Sequence, residues 1–88
     1  MDSYSIKFKP TVEKDLSGIP QAIVARAWER IESLRDNPFP PDVKKLQDAQ
    51  RLYRIRLGDY RIVYEVDTEK KEIMVHYVRH RKDVYKKL

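Results

Sequence analysis

The chain reads as an α+β fold of order β-α-α-β-β-β, a small antiparallel sheet with an αα-hairpin packed on one face. Three observations predict it. Apolar residues recur at helical spacing between Val12 and Leu34. Residues 52–67 alternate polar and apolar around a Gly-Asp pair. Residues 72–78, EIMVHYV, are apolar on both faces, as suits a strand inside a sheet. At 88 residues the chain forms one domain, 1–88.

The elements follow in order. In residues 3–9, SYSIKFK, Tyr4, Ile6 and Phe8 share one face of a first strand. Pro10 opens a short helix from Thr11 to Leu16, and Ser17-Gly18 ends it. Pro20 suits the first turn of a second helix. There Val24, Ala27, Trp28, Ile31 and Leu34 form an apolar stripe with Trp28 in its middle, a core position. That helix ends near Asp36, before Asn37-Pro38. Residues 37–51 form a loop stiffened by three prolines, pinned by Val43 and Leu46. Strand 52–57 points Tyr53, Ile55 and Leu57 inward. After the turn at Gly58-Asp59, strand 60–67 puts Tyr60, Ile62, Tyr64 and Val66 on one face and Arg61, Val63 and Glu65 on the other. The tail, RHRKDVYKKL, leaves the sheet after Val78.

Charge is distributed unevenly. Residues 1–50 hold eight Lys/Arg and eight Asp/Glu, whereas residues 51–88 hold eleven and six, so the whole net charge of +5 lies in the second half. Such asymmetry points to nucleic acid or an acidic protein as partner. A solvated basic face is the plain alternative. Without cysteine there are no disulfides, thiolate zinc sites or thiol nucleophile, which fits a cytoplasmic protein. No stretch is long and apolar enough for a signal core or a membrane span, so no membrane partner is expected.

The chemistry concentrates in RLYRIRLGDYRIVYEV and in the tail. Arg54 and Arg56, two apart on a strand, project together about 7 Å apart. The tight turn brings Arg61 alongside. If the tail folds over this face, a concave site gathers Arg54, Arg56, Arg61 and Arg81, with His80 and Tyr85 at its edge. Planar guanidinium forks grip phosphate oxygens in pairs. Several together favour a dianionic five-coordinate phosphorus over a monoanionic diester, and that difference accelerates a reaction. His80 has the solution pKa of an acid or base near neutrality, and Tyr85 offers a ring or a hydroxyl. Against this, Arg54 could pair with Glu65 for under about 1 kcal/mol, His80 could be a plain surface histidine, and His76 reads as structural. Two distant histidines make no metal site, and two glycines make no phosphate loop. Metal-free, cofactor-free chemistry is the expectation.

Those segments, with VEKDLSGIP and KKLQDAQRLYRIR upstream, resemble the RelE family of bacterial and archaeal toxins over nearly the whole chain. The resemblance implies an endoribonuclease that enters the 70S-type ribosome and cuts A-site mRNA by 2′-hydroxyl attack. It also implies a cognate RelB-like antitoxin, through which alone the toxin meets operator DNA. The family's strand pair falls on Arg54 and Arg56, its next strand arginine on Arg61, its tail arginine on Arg81 and its tail tyrosine on Tyr85. Lys44, Lys45, Lys82, Lys86 and Lys87 would meet ribosomal RNA phosphates. The best-studied members carry lysines where this chain has Arg54 and Arg56. An arginine, with a pKa above about 12, does not serve readily as a base. The base is then His80, Tyr85 or ribosomal RNA. A ParE-like gyrase inhibitor without nuclease activity, and an inactive antitoxin-binding relic, are the alternatives.

Overall fold

A computed structural model describes residues 3–46 and 51–82. Its elements are β1 (Ser5–Phe8), α1 (Pro10–Ser17), α2 (Gln21–Ser33), β2 (Lys44–Lys45), β3 (Leu52–Leu57), β4 (Tyr60–Asp67) and β5 (Glu72–His80). The sheet order is β1-β5-β4-β3-β2. Strands β3 to β5 pair antiparallel, as expected, and β2, inside the segment read as a loop, adds antiparallel to β3, while β1 lies parallel to β5 from Ser5 opposite Glu72 to Phe8 opposite Val75. The sheet is therefore mixed. The αα-hairpin carries the chain away from β1, and the last strand returns beside it in the same direction.

Period-2 alternation holds through β3 and β4. Ile55, Leu57, Ile62, Tyr64 and Val66 face the helices and are buried. Strand β5 contains a break in that period. Ile73, Val75 and Val78 are all buried, an odd step between the last two. A β-bulge accommodates it: the pairing shifts between Val63/Tyr64, so that Tyr64 faces Val75 while Val63 faces Tyr77. Residue 76 is the extra one. Its Nε2 lies 3.1 Å from Glu65 Oε1, so His76 is structural and Glu65 has a partner other than Arg54.

Helix α2 is rotated from the expected stripe. Ala27, Ile31 and Leu34 are buried and Ile23 packs against them, but Trp28 is 42% exposed. Two overlapping stripes exist in this helix, and the sheet takes the one through Ile23. Trp28 sits at its margin, edge-on to Phe8 with ring centroids 5.2 Å apart. Trp28 is thus not the core residue that its spacing suggested.

The proline loop docks through two contacts. Val43 packs on the core, and the buried Tyr64 hydroxyl donates a 2.7 Å hydrogen bond to the Pro38 carbonyl. Burial also raises the Tyr64 pKa well above its ordinary value. A phenol held neutral in the fold contributes stability fully below pH about 10, the pKa in an unfolded chain. Above that, the unfolded chain ionises and stability falls. In urea titrations between pH 9 and 11.5, the wild type should lose stability more steeply than Tyr64→Phe. Parallel curves would show that Tyr64 does not titrate differently on unfolding.

Candidate functional site: a row of arginines on the open sheet face

Directly opposed residues in an antiparallel pair share a face. The turn at Gly58-Asp59 has Gly58 at φ +61, a conformation glycine adopts without strain. It closes Leu57 against Tyr60 and so sets Arg56 opposite Arg61. The bulge in β5 then sets Arg79 opposite Arg61. Three guanidinium side chains thus stand in one row, Arg56, Arg61 and Arg79, across three adjacent strands. Strands lie about 4.8 Å apart, so the row is about 10 Å long at the backbone. A parallel row next to it holds Lys44, Arg54, Val63 and Tyr77.

Arg61 in the centre is 5% exposed, Arg54 is half-buried and Arg56 is exposed. Neither Arg54 nor Arg56 forms an ion pair among the described residues. Asp42, which borders their groove with Lys44, is paired to Arg30 at 2.8 Å. Arg79 lies over the Tyr77 ring at 4.5 Å, and its Nε is 3.7 Å from Asp15 Oδ1. The face is therefore strongly cationic, and an incoming anion would relieve its repulsion.

The expected site residues fall out unevenly. Arg54, Arg56 and Arg61 share this face, and Lys44 joins them. Arg81 stands beside the turn, its backbone N–H donating to the Asp59 carbonyl at 2.7 Å, with an exposed side chain. Lys45, opposite Tyr53, belongs to the other face, and Lys82 is exposed beyond the sheet. His80 pairs with Tyr60, which puts it on the helix side, away from the arginine row. Its ring stands edge-on to Tyr60 at 5.2 Å and borders a cavity of about 320 Å³. His80 Nδ1 accepts the Lys82 N–H at 3.1 Å. Tyr85, Lys86 and Lys87 lie outside the described residues.

Arg79 completes the row and was not among the expected site residues, because the tail was expected to leave the sheet after Val78. Strand β5 instead runs two residues further. The signal was present: Val75 and Val78 can both be buried only with a bulge between them, and this aims Arg79 at the face of Arg61.

Among the described residues no cluster of His, Cys, Asp and Glu could hold a metal ion. No helix is long and apolar enough to cross a membrane.

Comparison with known proteins gives a consistent picture. Residues 6–85 match the family described as "ParE toxin of type II toxin-antitoxin system, parDE". The chain is 36% identical over 84 residues to toxin RelE3 of Methanocaldococcus jannaschii, covering 91% of this chain and 93% of that one. Its structure resembles a chain of the archaeal RelE–RelB complex from Pyrococcus horikoshii OT3, with TM-score 0.80, 36% identity and 90% and 96% coverage of the two chains. It also resembles a chain of the RelB–RelE antitoxin–toxin complex from Methanococcus jannaschii, with TM-score 0.75, 34% identity and 90% and 94% coverage. The α+β sheet and hairpin described above are the architecture these proteins share, and the chain belongs to the RelE/ParE superfamily of type II toxin–antitoxin toxins, as a RelE-type member.

Proposed function

We propose that this protein is a ribosome-dependent endoribonuclease that cuts mRNA in the A site. The observation that carries the reading is the row Arg56, Arg61 and Arg79 with its flanking pair Arg54 and Lys44. A toxin acting by protein contact alone has no need to set cations in register on one sheet face.

In the reaction, the RNA 2′-hydroxyl loses its proton and its oxygen attacks the adjacent phosphorus. The O2′–P bond forms and the P–O5′ bond breaks. A 2′,3′-cyclic phosphate and a 5′-hydroxyl end result, the O5′ oxygen taking up a proton. Charge on the phosphoryl oxygens rises on the way to the transition state. Arg61, held by burial, and Arg79, over the Tyr77 ring, are preorganised to meet that charge. Arg56 and Arg54 bind the phosphate and steady the leaving oxygen. Arg81 stands at the mouth of the site. His80 faces the other side of the sheet, so the proton acceptor is assigned to Tyr85 or to ribosomal RNA. Lys44, Lys45, Lys82, Lys86 and Lys87 engage ribosomal phosphates, and their contribution falls with salt.

The solved relatives are complexes with RelB, which supports a RelB-like antitoxin as partner here. The excess of +5 favours an acidic, wrapping chain. Operator binding passes through that antitoxin, and the working compartment is the cytoplasm.

The family match to ParE supports a second reading, inhibition of DNA gyrase. Mapping mRNA 5′ ends after brief induction separates the two. Breaks within codons, with translation stopping first, are expected. Intact mRNA with early failure of DNA synthesis would favour the gyrase reading.

A further inference from the structure

Strand β1 ends at Phe8, opposite Val75, so the last part of β5 has a bare edge. Lys9 still donates its N–H to the Val75 carbonyl. Beyond that point the neighbouring strand is gone, and α1 lies there instead. Asp15, near the end of α1, fills the gap. Its side chain is 16% exposed, and it divides its two oxygens. Oδ2 accepts the Val78 N–H at 3.3 Å, in place of a strand carbonyl. Oδ1 faces Arg79 Nε at 3.7 Å.

We propose that Asp15 is a positioning residue for Arg79: it stands in for the missing strand and turns the guanidinium so that its terminal nitrogens meet the RNA phosphate. This rests on the nuclease reading above. A guanidinium has a limited set of edges. With Nε turned to a carboxylate, the edge made by the two terminal nitrogens is left for a bidentate grip on phosphate oxygens. The Tyr77 ring centroid lies 4.5 Å from the centre of the group, and the Asp15 carboxylate draws Nε to its own side. The same carboxylate also offsets part of the repulsion that Arg79 meets from Arg61. Its backbone contact links the two jobs: Val78 and Arg79 are adjacent, so the anchored strand end and the aimed side chain share one support.

Asp15→Asn separates these jobs. The amide oxygen still accepts the Val78 N–H, but the charge facing Arg79 is gone. In the purified toxin, exchange of the Arg79 Nε proton with solvent, followed by NMR, should accelerate about tenfold on loss of the facing carboxylate charge. On programmed ribosomes, kcat for mRNA cleavage should fall about tenfold with KM unchanged, because a misaimed group costs rate rather than binding. In an Arg79→Lys background, which lacks Nε, the same substitution should leave kcat unaltered. Unchanged Nε exchange would overturn the proposal whatever the activity. So would changed exchange with normal kcat, or an equal loss of kcat in the Arg79→Lys background. A wild-type protein that cuts no ribosome-bound mRNA would remove the nuclease reading, while the exchange measurement still decides whether Asp15 holds Arg79.

Discussion

Arg61→Met and Arg79→Ala should each lower the single-turnover rate of mRNA cleavage on the ribosome by about 10²–10³-fold, the usual cost of removing one preorganised charge-stabilising group. Methionine is chosen at position 61 because Arg61 is buried, and its aliphatic stem fills volume that alanine would leave empty. Thermal unfolding should stay within a few degrees of wild type for both. Arg81→Ala, at the mouth of the site, should cost about tenfold. The assay is primer extension on ribosomes carrying a defined codon in the A site. Rates within threefold of wild type for Arg61→Met and Arg79→Ala together would take the row out of the chemistry.

A neighbouring substitution should give the opposite pattern. Ile62 is fully buried, opposite Ile55 on one side and Val78 on the other. Ile62→Ala should cost about 2–5 kcal/mol from lost burial and the cavity left behind. That is a large share of the total of about 5–15 kcal/mol that holds a small domain together. Denaturant titration reads the loss directly, and the folded fraction should retain its specific cleavage rate. The contrast with Arg61, one residue earlier, follows from the pleat: one side chain enters the core and the other joins the arginine row on the opposite face. A drop of under about 1 kcal/mol would mean that the core collapses to fill the space.

Much of this was legible in the sequence, and the failures have definite causes. The Gly-Asp turn allows one register, so Arg56 beside Arg61 follows from counting across it. The alternation in 52–67 assigned both faces correctly. The parallel placement of β1 was not legible, since a lone strand of four residues carries no sign of its neighbour. Trp28 misled because apolar residues at 23, 24, 27 and 28 support two stripes, and only the sheet selects one. Arg79 and His80 were placed in a tail because alternation breaks after Val75. Recognising a bulge there would have set Arg79 on the face of Arg61 and His80 on the helix face. Asp15 gave no local signal at all, because its two partners lie at the far end of the chain.

The pairing of β1 with β5 bears on how the protein comes into being. Strand β1 pairs with a strand that follows every other strand of the sheet in the chain, so this edge cannot close until β5 has been made. The same late strand delivers Arg79 opposite Arg61. A polypeptide interrupted before residue 72 therefore has neither a complete sheet nor a complete cationic cradle. The parallel edge of the sheet and the arginine row are thus completed together, by the same strand.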